Sequence, residues 1–185
     1  MAKILLGVTG GIAAYKAADI TGALIKNGHE VQVVMTEAAK KFITPLTLST
    51  LSRNPVYDDA SEWTADGVIK HITLAKWADL LVIAPATANT IAKIASGTAD
   101  NLLTSIALAL PITTRFIICP AMNTKMWENT LTQQNIKAIN YRIPFGGICS
   151  IVIPPVEGLL ACGDVGVGKL APTRDIVEAI CSAVV

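Results

Sequence analysis

Three side chains far apart in the chain have the types and settings for chemistry: His71, Asn123 and Cys162. An imidazole is the side chain best suited to proton exchange near neutral pH, so His71 can act as acid and base. A lone histidine also serves as a structural group, and on its own it favours that reading. Asn123 stands in Pro120-Ala121-Met122-Asn123-Thr124-Lys125-Met126-Trp127. Its amide can hold a carboxylate or amide of a ligand, or cap a helix after Pro120. Met126 and Trp127 suit a pocket wall and a core equally well. Cys162 lies in Leu160-Ala161-Cys162-Gly163-Asp164, with Gly166 and Gly168 beyond. A free cysteine is commonly a small buried apolar group, but a glycine-rich setting suits a lid that opens for product release.

A second group of residues suits a phosphorylated ring. Gly7-Val8-Thr9-Gly10-Gly11-Ile12-Ala13 ends an apolar run and opens a helical one. Glycine lets a backbone approach a ligand closely, and the free N–H groups of a helix start attract phosphate. A plain tight turn has the same sequence. The next apolar run ends in Met35-Thr36, then Glu37. Dinucleotide folds place an acidic residue at the end of that strand, and Thr9-Gly10-Gly11 departs from G-x-G-x-x-G. A Thr36 hydroxyl suits a phosphate monoester better than a ribose diol, which favours FMN over NAD; it also suits a helix cap. Pro85-Ala86-Thr87-Ala88-Asn89-Thr90 combines small residues, which leave room for a flat ring, with hydroxyls for its polar edge. Taken alone, it is an ordinary capped strand-to-helix turn.

The elements that must position these groups alternate. Strands are expected at Lys3–Val8, Val31–Met35, Asp79–Ala84, Arg115–Cys119 and Ile151–Ile153. Helices are expected from Ile12 to about Asn27, from about Thr36 through Phe42, and from Pro45. Others are expected over His71–Ala78, about Asn89–Ala95, Asn101–Leu110, Met122 to about Asn140, and from Thr173, which can cap the last one. Gly28 suits the first helix's C-terminal turn. The stretch Asn54–Gly67 and the glycine-rich stretch up to Gly168 read as loops. Such alternation predicts a three-layer, Rossmann-like or flavodoxin-like parallel sheet with helices on both faces.

Composition narrows the function. The 185 residues are 52% hydrophobic, 16% charged and 5% aromatic, which excludes a disordered chain and calls for an aliphatic core. The same numbers suit buried subunit contacts or simply a well-filled α/β core. With 15 basic and 14 acidic side chains and no basic run, neither nucleic acid nor a membrane surface is an expected partner. The most apolar stretch, Ile106–Met122, is interrupted by Pro111, Arg115 and Pro120, so it does not suit a membrane helix. The N-terminus has no signal-peptide pattern. The cysteines Cys119, Cys149, Cys162 and Cys181 show no C-x-x-C or metal-ligand spacing, which suits a reduced cytoplasmic protein without a metal.

With these motifs in this order, the chain resembles the homo-oligomeric flavin-containing cysteine decarboxylases over nearly its whole length. GVTGGIAAYKA is similar to the family's phosphate loop, and PATANT to its flavin motif, usually written with Ser where Thr87 stands. The resemblance implies FMN contacts from Gly10, Gly11, Ile12, Thr36, Thr87, Ala88, Asn89, Thr90 and Ala121. Residues 120–127 match the substrate motif P-x-M-N-x-x-M-W at every fixed position, which implies substrate contacts from Asn123 and Met126. The segment around Cys162 resembles the family's flap, about 154–170, and implies Leu160 and Ala161 at the substrate and Cys162 as its reactive thiol. His71, in HITLAKWAD, matches the catalytic histidine.

The ACGD flap points to the branch acting on phosphopantothenoylcysteine. FMN would take a hydride equivalent from the thiol-bearing carbon, giving a thioaldehyde that accepts the electrons of CO2 loss. Return of the hydride, with a proton from Cys162, would give 4′-phosphopantetheine for coenzyme A biosynthesis. Peptidyl-cysteine decarboxylases and non-catalytic, phosphatase-binding regulatory subunits are the alternatives. Retention of His71, Asn123 and Cys162 favours an enzyme. The family further implies one domain over 1–185, a ligase on a separate protein, and a homotrimer or a dodecamer of trimers in which His71 reaches a neighbour's site. Lys169, where the family often has Arg, and the segment Asn140–Cys149, with Pro144 and Gly146-Gly147, depart from the pattern.

Overall fold

The aliphatic runs become parallel strands whose alternate residues enter two different cores. The computed structural model describes residues 1–63, 67–140 and 150–184. β1 (Lys3–Val8), β2 (Glu30–Met35), β3 (Val56–Tyr57), β4 (Leu80–Ala86), β5 (Arg115–Pro120) and β6 (Ser150–Val152) pair in the order β3-β2-β1-β4-β5-β6. Every neighbouring pair is parallel. β7 (Val156–Leu159) and β8 (Val165–Lys169) form a separate antiparallel hairpin.

Among the described residues, eight α-helices connect and cover the strands: α1 (Lys16–Lys26), α2 (Pro45–Ser52), α3 (Lys70–Trp77), α4 (Ala88–Ser96), α5 (Leu102–Ala109), α6 (Thr124–Glu128), α7 (Thr130–Asn140) and α8 (Thr173–Ala183). Leu80, Val82 and Ala84 of β4 join Ile20, Leu48 and Ile176 in the core beneath α1, α2 and α8. Leu81, Ile83 and Ala86 join Leu74, Ile91, Leu103 and Ile136 in the core beneath α3, α4, α5 and α7. Burial on both faces is what a parallel sheet requires, and it explains why these strands are continuously apolar rather than alternating. The alternation in β4 breaks after Ala84, where a cis peptide joins Ala84 to Pro85 and the register with β5 shifts.

Local signals set the helix ends. Thr44 caps α2 by accepting from the Thr47 N–H, with Pro45 in the first turn. Gly28, at φ 80°, closes the turn after α1 in the left-handed region that a Cβ disfavours.

Several sequence expectations are corrected. The first helix opens as a 3-10 turn, Ile12–Tyr15, and the expected helix through Phe42 is only a 3-10 turn, Ala39–Lys41. The stretch read as loop from Asn54 contains edge strand β3, too short to show a period. The helix expected over Met122–Asn140 divides at Asn129. Pro172, not Thr173, occupies the cap position of α8. The glycine-rich stretch before Gly168 is the β7–β8 hairpin. The atypical segment 141–149 lies outside the described residues.

Leu81 is fully buried in the central strand. Leu81→Ala is expected to lower stability by about 2–5 kcal/mol through lost transfer energy and a residual cavity. Urea unfolding at unchanged m-value checks this.

Candidate active site

The strand order reverses direction between β1 and β4, and loops leaving these strands diverge to opposite sides. Such a switch point leaves a crevice beyond the carboxyl ends of the strands. Here it is a cavity of about 1050 Å³.

Buried Thr9 joins the two central loops. Its hydroxyl donates to the Pro85 carbonyl at 2.7 Å and accepts from the Thr87 N–H at 3.0 Å. Its own N–H donates to the same carbonyl at 3.3 Å. Next to it, Gly10 packs under the turn after β2. A Cβ there would overlap the Cβ of Ala38 and lie 2.8 Å from its carbonyl carbon. Gly10, Gly11, Ile12 and Thr36 all line the cavity. The 3-10 turn that leads into α1 starts at Gly11 without a capping side chain, so its first N–H groups suit an external acceptor. The Thr36 hydroxyl accepts from the Ala39 N–H at 3.3 Å, so it caps a turn as well as facing the cavity.

Lys16 and Lys169 also line this space. Burial, and then the positive charge of Lys169, lower the Lys16 pKa, with Asp19 partly offsetting them. Two cations drawn together on a cavity wall suit an anionic ligand.

The turn after β4 forms the next wall. Thr87 caps α4, accepting from the Thr90 N–H at 3.3 Å and donating to the Thr90 hydroxyl at 3.2 Å. Ala88, Asn89 and Thr90 follow in the first helical turn and line the cavity. The Ala121 N–H donates to the Ala86 carbonyl at 3.1 Å, bringing the turn after β5 alongside.

The β7–β8 hairpin closes over that turn. Met122 N–H donates to the Gly168 carbonyl at 3.0 Å. A Cβ on Gly168 would overlap the Met122 carbonyl, and one on Gly166 would come 2.5 Å from Thr124 Oγ1. These two glycines therefore permit close docking against α6. At the hairpin tip, Leu160 N–H donates to the Asp164 carbonyl at 2.8 Å and Gly163 adopts φ 90°. Leu160, Ala161 and Cys162 thereby face the cavity with Met126. Asn123 Oδ1 caps α6 by accepting from the Lys125 N–H at 2.9 Å. Its Nδ2 donates to Cys162 Sγ at 3.3 Å, and Cys162 Sγ donates to Asp164 Oδ2 at 3.3 Å. Asn123 thus caps α6 with its oxygen while its amide nitrogen reaches the Cys162 thiol.

His71 is placed elsewhere. It sits in the first turn of α3 and does not line this cavity within the single chain. Glu62 holds it: one carboxylate oxygen bonds Nδ1 and the other accepts from the His71 N–H at 3.2 Å. Around them Trp63, Ile69 and Ile72 are exposed, Trp63 by 78%. Neither the Glu62 bond nor the bridging role of the Thr9 hydroxyl is legible in local sequence. Glu62 lies in a segment without periodicity, and its bond to a residue nine positions on has no local signature. Among the described residues no cluster of three or more His, Cys, Asp or Glu could hold a metal. No described helix is long and apolar enough to cross a membrane.

The residues fit a flavin mononucleotide. The Gly10–Gly11 turn admits a phosphate, Lys16 and Lys169 supply positive charge, and the Ala86–Thr90 and Ala121 walls leave a slot edged by hydroxyl and amide groups. This is a nucleotide-cofactor protein of the doubly wound α/β class. The chain belongs to the Flavoprotein family, which matches residues 1–185.

Among its relatives, it is 52% identical to the probable phosphopantothenoylcysteine decarboxylase of Streptococcus mutans, over 96% of each chain. It is 47% identical to the Coenzyme A biosynthesis bifunctional protein CoaBC of Vibrio vulnificus, covering 97% of this chain but 42% of that longer protein. Among solved structures it resembles a PPC decarboxylase mutant complexed with pantothenoylaminoethenethiol, with TM-score 0.88, 35% identity, and 98% and 97% of the two chains covered. It also resembles the FMN binding protein AtHal3, with TM-score 0.83, 36% identity, and 98% and 95% covered.

Gly10→Ala is expected to push the turn at Ala38 away, at a strain of about 1–3 kcal/mol. FMN affinity should fall about tenfold or more while far-UV circular dichroism stays native. Fluorescence titration with FMN checks this.

Proposed function

We propose that this protein is an FMN-dependent decarboxylase that converts 4′-phosphopantothenoylcysteine to 4′-phosphopantetheine in coenzyme A biosynthesis. The observation that carries this reading is the contact between Asn123 and Cys162 at the mouth of a cavity built for a phosphorylated ring. The 52% identity to the Streptococcus mutans protein supports the choice of substrate.

A cysteine-derived acid has no electron sink beside its carboxylate, so simple CO2 loss is blocked. FMN, when bound, would supply that sink as a reversible two-electron acceptor for a hydride equivalent from the thiol-bearing carbon. Gly10, Gly11, Ile12 and Thr36 would hold its phosphate, and Thr87, Ala88, Asn89, Thr90 and Ala121 would flank its ring. Lys16 and Lys169 attract the anionic ligands. Asn123 holds the substrate's carboxylate or amide, and Met126, Leu160 and Ala161 pack against its body. His71 takes the thiol proton as the thioaldehyde forms. Loss of CO2 leaves an enethiolate, and the Cys162 thiol protonates its carbon. His71 returns its proton to the product sulfur. Net, one proton replaces CO2. The ligand in the related PPC decarboxylase complex is named as an enethiol, the kind of species expected between CO2 loss and reduction.

His71 performs this role in a neighbouring copy's cavity. Its position outside its own cavity, on a face carrying exposed Trp63, Ile69 and Ile72, supports assembly as a homotrimer or as a dodecamer of trimers. The free thiols of Cys119, Cys162 and Cys181 suit the reducing cytoplasm.

The direct test is to add phosphopantothenoylcysteine to purified yellow protein and measure CO2 and 4′-phosphopantetheine. Absence of both, with flavin bound, rejects the reading. Cys162→Ser is expected to release CO2 yet stop at the enethiol, seen by mass spectrometry; normal product at the normal rate removes Cys162 from its role. His71→Asn is expected to keep its flavin spectrum and lose turnover by about 100-fold or more, measured as initial CO2 release.

A further inference from the structure

We propose that Glu62 is the positioning residue for His71, fixing its proton on Nδ1 so that Nε2 is the atom that exchanges protons with the substrate thiol. This rests on the decarboxylase reading above for the identity of the thiol, but not for the geometry. Among the described residues Glu62 is the only buried charged side chain, at 8% exposure. A carboxylate is costly to bury unless its oxygens are bonded, and both oxygens of Glu62 are bonded to one residue, His71.

Part of this is ordinary helix capping. Ile69, at the cap position of α3, provides no side-chain bond, and Glu62 satisfies the His71 N–H in its place. Capping uses one oxygen. The second oxygen goes to Nδ1 of the ring, which capping does not require. A carboxylate only accepts, so Nδ1 must carry the hydrogen, and the lone pair of a neutral ring is then on Nε2. His71 keeps 25% of its side chain exposed against 10% for Glu62, so the ring retains an open edge.

The proton balance follows. The thiol S–H bond breaks and its proton moves to Nε2. Bound FMN would accept the electron pair and hydrogen of the adjacent C–H bond as hydride. The ring becomes a cation facing the Glu62 carboxylate, and a bond between two charged groups is stronger than one between neutral groups. At the end of the cycle Nε2 returns its proton to the product thiolate. Nothing else is consumed at this residue.

The chain has two histidines, His29 and His71, so selective labelling gives two imidazoles to assign. In wild-type holoprotein labelled with ¹⁵N-histidine, neutral His71 is expected to carry its proton on Nδ1. An Nε2–H tautomer in wild type overturns the proposal without any variant. Glu62→Gln keeps the size and an oxygen for the backbone N–H, and turns an amide donor toward Nδ1. It is expected to move the ring proton to Nε2 and to lower kcat about 100-fold or more, with KM, bound flavin and oligomeric state unchanged. Unchanged kcat and tautomer in a folded Glu62→Gln protein reduce Glu62 to a helix cap and reject the proposal. If wild-type His71 shows Nδ1–H but the holoprotein releases no CO2 from phosphopantothenoylcysteine, the decarboxylase reading fails while the Glu62 clamp stands.

Discussion

The buried hydroxyl of Thr9 holds the site together. Two parallel strands, β1 and β4, lie side by side at the centre of the sheet, and their loops must diverge there to reach helices on opposite faces. Thr9 bonds the carbonyl of Pro85 and the N–H of Thr87 across that divergence. A buried polar group is retained only when its hydrogen bonds are met, so the hydroxyl, the carbonyl and the amide hold each other in place. The glycine turn after β1 and the hydroxyl-bearing turn after β4 therefore open as two fixed walls of one cavity.

The third wall depends on close approach. Gly166 and Gly168 have no side chains where Thr124 and the Met122 carbonyl press against the hairpin. The hairpin consequently lies flush on the turn after β5 and brings Cys162, from late in the chain, to the amide of Asn123. Van der Waals contact at this distance is unforgiving. A glycine that looks like a source of flexibility in the sequence is, at these two positions, a condition for docking. By contrast Cys119, wholly buried in β5, has its thiol pKa pushed up by burial and sits in the aliphatic core. Identical residue types thus serve opposite purposes according to where the sheet puts them.

The Glu62–His71 pair lies outside this construction. It is held by its own local bonds on a face where large apolar side chains meet solvent. A cavity lined by the glycine turn and the Cys162 thiol, together with an imidazole held elsewhere on an apolar surface, gives the proposed assembly its physical basis. Membership of the Flavoprotein family over residues 1–185 is consistent with the cavity's size and polarity.

Much of this was legible in the chain itself. Continuous aliphatic runs separated by amphipathic stretches specify a two-sided parallel sheet, because only strands covered on both faces need no polar side. The strand-ending motifs at residues 7–13, 85–90 and 120–127 had to gather, since parallel strands all deliver their carboxyl ends to one edge. The tertiary structure alone decided the rest. Edge strand β3 has two residues and no period. The hairpin is stabilised by pairing between β7 and β8 and by contact with α6, neither of which appears in local sequence. Asn129 parts α6 from α7 without a proline or glycine to announce it. Glu62 meets His71 across nine positions that share no repeating pattern. Local propensity and periodicity are properties of neighbouring residues, and are therefore written in the sequence. A hydrogen bond between residues brought together by folding depends on the path of the whole chain, and exists only once that path is complete.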